Sequence, residues 1–173
     1  MAKIEFLAPK IARWEGGFVN DKVDKGGATN MGITLGTWKQ VGYDKDGDGD
    51  IDAQDIKLLN PADFKAVLKK YWDRWQADKI NNQSVAEILV DWVWASGKWG
   101  IVIPQRLLGV DDDGIVGNGT LTHLNNMNQK ELHQIIFNAR LKFLDNIVKN
   151  NPSQERFIKG WKNRLNDFKF IEQ

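Results

Sequence analysis

At 173 residues the chain suits one domain, or one with a closely packed subdomain, and can hide roughly 70% of its unfolded surface without a disulfide or metal. It has no Cys, which excludes disulfide frameworks, thiolate zinc sites and cysteine nucleophiles. Lys+Arg number 24 against 23 Asp+Glu, and a net charge of +1 gives no basic excess, so no nucleic-acid partner is expected. No apolar run approaches the length of a membrane span. Lys3, Glu5 and Lys10 interrupt the first ten residues, which therefore do not read as a signal peptide. The expectation is synthesis in the cytoplasm, with some other agent delivering the protein to any substrate outside.

Taken in order, residues 3–14 form a candidate helix ending near Trp14. Residues 15–33 carry five Gly, at 16, 17, 26, 27 and 32, which marks an irregular loop in which a short hairpin would fit. Thr34 can cap a helix to about Val41, and an acidic loop spans 44–55. Asn60-Pro61 pairs a cap residue with Pro at the first helical position. Phe64, Val67, Leu68, Tyr71, Trp72 and Trp75 then line one face of an amphipathic helix. Ser84 is a candidate cap for a helix that is apolar nearly all round, hence central and buried, ending at Ser96-Gly97. A shorter helix covers 100–108 and stops at Gly109, and 111–119 reads as a turn-rich loop. Asn128 can cap a long helix with Leu132, Ile135, Ile136, Ala139, Phe143 and Ile147 on one face. Asn151-Pro152 starts the last helix. The class is all-α, or α-rich α+β.

The chemistry is expected at Glu15. It follows the helical Ile11-Ala12-Arg13-Trp14 and precedes Gly16-Gly17, so a rigid element holds the carboxyl and the glycines admit close approach. Trp14 and Phe18 are apolar neighbours. Desolvation raises a carboxyl pKa, as a general acid near neutrality requires. Asp21, Asp24, Thr29 and Thr34 follow as possible partners for a water or hydroxyl. A Glu before Gly-Gly is by itself a weak signal, since a helix-ending Glu is more often simply solvated.

Trp14 to Asp21, then Asp24-Lys25-Gly26-Gly27-Ala28-Thr29-Asn30-Met31-Gly32-Ile33-Thr34, resembles the opening motif of glycoside hydrolase family 108. These are lysozyme-like N-acetylmuramidases, including phage endolysins and proteins named secretion activators. The second half resembles the peptidoglycan-binding region that accompanies that domain. The stretches that carry it are Asp91 to Gly97, Gln105 to Val110, Asp113-Gly114-Ile115-Val116-Gly117 with Thr120-Leu121, and Phe157, Gly160, Trp161 and Arg164.

The resemblance implies a mostly α, lysozyme-like helical fold with a small Gly-rich loop or hairpin near the N-terminus. Residues 1–173 would form a single unit, with a catalytic part over 1–90 and a peptidoglycan-binding part over 91–173. It implies a peptidoglycan hydrolase that cuts between N-acetylmuramic acid and N-acetylglucosamine, with Glu15 as the catalytic acid. Asp24 and Thr29 complete the order Glu, Asp, Thr seen in phage lysozymes. Asp24 either enters the reaction or braces the Gly26-Gly27 turn. If it activates a water the outcome is inversion, which is the favoured expectation. The family usually has Asn two residues before the Gly of the Asp91 segment, where Ala95 stands here. Trp94 and Ser96 are candidates to replace that substrate contact. Asp91, in a very apolar helix, reads as a buried hydrogen-bonded brace. The partner is peptidoglycan, a monomer is expected, and release to the wall suits a phage or prophage lysin. The alternative is a non-catalytic wall-binding or secretion-accessory protein.

The segment Asp44 to Asp55 matches an EF-hand-type calcium loop. Asp44, Asp46 and Asp48 stand at its first, third and fifth positions, Gly49 at the sixth, the Asp50 carbonyl at the seventh and Asp55 at the twelfth. Asp in place of Glu at the last position resembles dockerin loops. Six carboxylates in twelve residues, offset by Lys45, repel one another unless a cation neutralises them. A structural Ca²⁺ is therefore expected. A dockerin-type interaction module is disfavoured, because dockerins carry two loops. Asp111 to Gly114 reads as a turn, and His123 and His133 as surface or capping residues. Most Trp lie on helical stripes and read as core; Trp38 and Trp99 are the better candidates for stacking on a sugar, though core packing is the favoured reading there too.

Overall fold

Nine α-helices and three short strands carry the described residues, 1–20 and 27–172 of a computed structural model, so the architecture is mostly α as expected. These residues divide into two units, Glu5–Lys70, and Met1–Ile4 with Tyr71–Gln173.

The first unit holds most of α1 (Ile4–Trp14), strands β1 (Val19–Asn20), β2 (Ala28–Asn30) and β3 (Ile33–Thr34), then α2 (Leu35–Val41), α3 (Ala53–Lys57) and the start of α4 (Pro61–Arg74). The strands form one antiparallel sheet in the order β1-β2-β3, pairing Val19 with Thr29 and Asn30 with Ile33. That register leaves Met31 and Gly32 as a two-residue turn, with φ of +52° and +76°. Two consecutive left-handed residues are what a type I′ hairpin needs. Thr34 caps α2 by accepting from the Thr37 amide at 3.1 Å. The Asn60 side chain accepts from Asp63 N while Asp63 accepts from Asn60 N, each at 3.0 Å, a reciprocal cap that starts α4 at Pro61. Helix α3 was not expected. Asp52 and Asp55 form its capping box inside the acidic segment. Trp38 takes the core-packing alternative: it is buried, its Nε1 donating to the Tyr43 carbonyl at 3.0 Å, so no sugar can stack on it.

The second unit is built around α5 (Gln83–Ser96), buried continuously from Ser84 to Val93. Its true cap is Asn82, which accepts from Val85 N at 3.0 Å. Ser84 lies inside the helix, its Oγ instead accepting from the Ile171 amide at 3.0 Å. Helix α6 (Trp99–Leu108) meets α5 backbone to backbone: a Cβ on Gly100 would sit 2.5 Å from Val93 N. Helix α7 (Asn118–Asn126), not foreseen from the weakly patterned sequence, follows the 111–117 turns. Gln105, fully buried, ties those turns together. It accepts from Gly114 N at 2.9 Å and donates to the Ile115 carbonyl at 2.9 Å and Thr120 Oγ1 at 3.3 Å.

Helices α8 (Gln129–Asn150) and α9 (Glu155–Asn166) complete the unit, α8 capped by Asn128 and α9 preceded by a 3₁₀ turn at Pro152. The buried residues of α8 are Leu132, His133, Ile136 and Arg140, whereas Ile135 is exposed, so the core face is rotated from the expected stripe. His133 is thus a core residue rather than a surface one. Asp91 of α5 has no exposed surface and joins Arg140 of α8 at 3.1 Å and Arg164 of α9 at 2.8 Å. It is the buried brace that its apolar surroundings implied. No helix among the described residues is long and apolar enough to cross a membrane.

Candidate active site

Glu15 continues the last turn of α1, its amide donating to the Ile11 carbonyl at 3.1 Å. The next residue, Gly16, accepts from Met31 N at 2.9 Å, which fastens the end of α1 to the hairpin turn. The turn then meets the carboxyl itself. A Cβ on Gly32 would lie 2.5 Å from Glu15 Oε2 and 2.6 Å from its Cδ. Gly32 is therefore required twice, by its positive φ and by the carboxylate lying against its Cα. The hairpin is held in turn by Asn30, buried on β2, which donates to the Ile56 carbonyl at 3.0 Å. Sequence reasoning missed this support. Its signal is Asn-Met-Gly ahead of a β-branched residue, a hairpin-turn composition.

Glu15 is half-buried. Trp14 and Phe18, its expected desolvating neighbours, are 38% and 39% exposed, and Val19 is 55% exposed. Thr29 is half-buried on the central strand, paired with Val19 and Thr34. Asp24 lies outside the described residues.

Trp94, Ser96 and Trp99 belong to the other unit. Trp94 is half-buried and edge-on to Tyr71, with centroids 4.9 Å apart. Ser96 ends α5 and Trp99 begins α6. Trp99 is 42% exposed, with Lys98 Nζ 5.3 Å and Arg106 Cζ 5.9 Å from its ring centre. Ala95, in the family's Asn position, is exposed.

The acidic segment folds on its own carboxylates. Asp44 Oδ1 accepts from Gly47 N at 2.7 Å and Oδ2 from Gly49 N at 2.8 Å, which holds its pKa below the usual carboxylate range. Carboxylate oxygens of Asp44, Asp46 and Asp48 lie within 4.8 Å of one another, as do those of Asp48, Asp50 and Asp52. Local desolvation, with the neighbouring Asp44 and Asp48, pushes Asp46 up to about 6. Repulsion from Asp48 raises Asp50. Lys45 does not relieve this crowding, because its ammonium pairs with Asp63. Asp55 is buried and its carboxylate is engaged by backbone: Oδ1 accepts from Lys45 N and Asp46 N, Oδ2 from Asp52 N. The structure thus gathers Asp44, Asp46 and Asp48, adds Asp52 beside Asp50, and directs Asp55 to the loop's own amides.

Three comparisons bear on this arrangement. The family model for glycosyl hydrolase 108 matches residues 8–97, and that for a predicted peptidoglycan domain matches 99–166. The first match ends at the C-cap of α5 and the second begins with α6. No curated protein sequence matches the chain. Among solved structures, that of Brucella abortus SagA is similar, with a TM-score of 0.76 and 28% identity over 95% of this chain and 90% of that one. With residues 8–97, more than half its length, in that match, the chain belongs to the glycosyl hydrolase 108 family.

Proposed function

We propose that the protein is a peptidoglycan hydrolase that cleaves the glycan between N-acetylmuramic acid and N-acetylglucosamine, with Glu15 as general acid. The observation that carries this reading is the seat of Glu15, a carboxyl fixed between the end of α1 and the Met31-Gly32 turn in a chain of this family. Glu15 gives its proton to the glycosidic oxygen as the bond to the sugar carbon breaks. Water then attacks the oxocarbenium-like centre. Asp24 is proposed as the group that takes the water's proton, giving inversion, with Thr29 beside it in the motif. Trp94, Ser96 and Trp99 are proposed contacts to the polymer.

The test is turbidity loss of purified peptidoglycan with wild type and Glu15→Gln, followed by reduction of the new chain ends. Loss of about 10²–10⁴-fold in the variant is expected, with muramic acid at the reducing ends made by wild type. A Glu15→Gln rate within about threefold of wild type would return the protein to the wall-binding reading.

We also propose one structural calcium ion in the acidic loop, held by Asp44, Asp46, Asp48 and the Asp50 carbonyl. The oxygen-only donor set suits a hard cation, and Lys45, the lysine within the loop, is committed to Asp63. Asp55, placed among the ligands by the loop's spacing, closes the two ends of the loop and has one oxygen taking a single amide.

A further inference from the structure

Asn30 stands where the pattern of the sheet calls for an apolar side chain. Ala28 and Asn30 are buried on β2 while Thr29 between them is half-buried, and Ile33, the cross-strand partner of Asn30, is buried too. An amide on that face must find polar partners or cost stability. Its Nδ2 donates at 3.0 Å to the Ile56 carbonyl, 26 residues on, which also accepts from Leu59 N at 3.3 Å. Only the nitrogen end of the amide can face a carbonyl, so the donor is fixed. Ile56 lies in the last turn of α3, where helix carbonyls lack intrahelical partners.

The two ends of this bond belong to different parts of the unit Glu5–Lys70. On one side, Asn30 and Ile33 are the pair that closes the Met31-Gly32 turn, and the Glu15 carboxyl rests on Gly32. On the other, Ile56 follows Asp55, a fully buried carboxylate that gathers the amides of Lys45, Asp46 and Asp52. Asp55 closes the capping box of α3 and so fixes that helix to the acidic segment, and α3 offers the carbonyl that Asn30 holds.

We propose that Asn30 is a positioning residue for Glu15, and that the placement of α3 by Asp55 reaches the acid through it. Without the Nδ2 donor the strands still pair through their backbones, but the turn is no longer tied to α3. Gly32 then shifts against the carboxyl, and proton delivery to the glycosidic oxygen slows while sugar binding is kept. The proposal rests on the hydrolase reading.

The experiment is a double-mutant cycle in the full chain at one fixed calcium concentration. Asn30→Leu keeps the shape of the amide and removes its donor, and Asp55→Asn loosens the start of α3. Val67→Ala, at a buried position of α4 in the same unit, is the stability control. Turnover on soluble glycan strands is measured at equal folded fraction. Asn30→Leu should lower kcat by about 10–100-fold with KM within about twofold, and Val67→Ala should stay within about twofold on both. Asp55→Asn should lower kcat about 5–10-fold alone and less than about twofold in the Asn30→Leu background, since one path carries both effects. The ¹³C signal of the Glu15 carboxyl, identified by its absence in Glu15→Gln, should move in Asn30→Leu and stay in place in Val67→Ala. A kcat for Asn30→Leu within about threefold of wild type overturns the proposal. So do effects of the two substitutions that multiply, or an Asp55→Asn variant as fast as wild type. If Asn30→Leu does not fold, Asn30→Ser, too short to reach the carbonyl, takes its place. An inactive Glu15→Gln with an Asn30→Leu that is not slowed would sink this inference and leave the hydrolase reading standing. A Glu15→Gln variant with wild-type turnover would sink the hydrolase reading, and the carboxyl signal alone would then decide the placement of Glu15 by Asn30.

Discussion

Replacing Gly32 by Ala separates the placement of Glu15 from stability in general. At φ +76° an L-residue costs roughly 1–2 kcal/mol. The new methyl would stand 2.5 Å from Glu15 Oε2 and 2.6 Å from Cδ. Those atoms end a flexible side chain, so the fold survives while the carboxyl retreats by roughly 0.5–1 Å to reach ordinary contact. A misplacement of about 1 Å can cost about 10²-fold in rate, which is about 2.7 kcal/mol of barrier. Gly109→Ala is the control. Its φ is +70°, and no atom lies within 4 Å of the position its Cβ would take. It carries the backbone penalty without touching the acid. Both variants are compared by urea midpoint and by initial rate of peptidoglycan clearing at equal folded fraction. Both should lose similar stability. Gly32→Ala should clear about 30–100-fold more slowly, and Gly109→Ala within about twofold of wild type. A fully folded Gly32→Ala that clears walls at the wild-type rate would refute the assignment of Glu15 to that seat.

Asp91→Asn should cost about 3–5 kcal/mol in urea unfolding, because the buried Arg140 and the half-buried Arg164 lose their counter-charge. Adding millimolar calcium should raise the melting temperature by about 3–6 °C, and Asp44→Asn should abolish the increment. A melting curve indifferent to calcium and to chelator would remove the ion. Burial lowers the His133 pKa below the ordinary histidine value of about 6.5. Its contribution to stability is therefore complete above that value and is lost as pH falls through the folded-state pKa. The stability of His133→Phe relative to wild type should accordingly rise on acidification, and a difference constant from pH 8 to pH 5 would contradict this.

What could be read from the chain beforehand was chiefly local chemistry. Thr34, Asn60 with Pro61, and Asn128 start helices because the cap and the amides it serves lie within three residues. The same logic failed where two competent caps were close together. Asn82 won, and Ser84 was diverted to a partner 87 residues away. For Trp38 the loop-side position left sugar stacking open beside the favoured core packing. The ring is in fact closed over by the adjoining Gly42, where a Cβ would stand 2.1 Å from ring carbons. His133 sits one position after Leu132 on α8, and only the rotated core face explains its burial. At the candidate site, Glu15 was singled out by the long motif from Trp14 to Thr34, Trp-Glu-Gly-Gly alone being a weak signal. The contact with Gly32 depends on strand register, which no local pattern around Glu15 contains.

The ion cluster of Asp91 carries a consequence for the order in which the second unit can be completed. Its two arginines arrive 49 and 73 residues after it. While α5 emerges during synthesis, its most apolar turn holds a carboxylate with neither partner yet made. Sealing that turn in a dry core at this stage would strand the charge, at a cost of several kcal/mol. Sealing the core around Asp91 is therefore favoured only once Arg140 of α8 has been made, and Arg164 of α9 completes the counter-charge. Closing contacts over such separations is also slow relative to forming the helices themselves. In a refolding experiment, burial of Trp92, the residue next to Asp91, should lag the recovery of helical signal, and the lag should lengthen in Arg164→Gln.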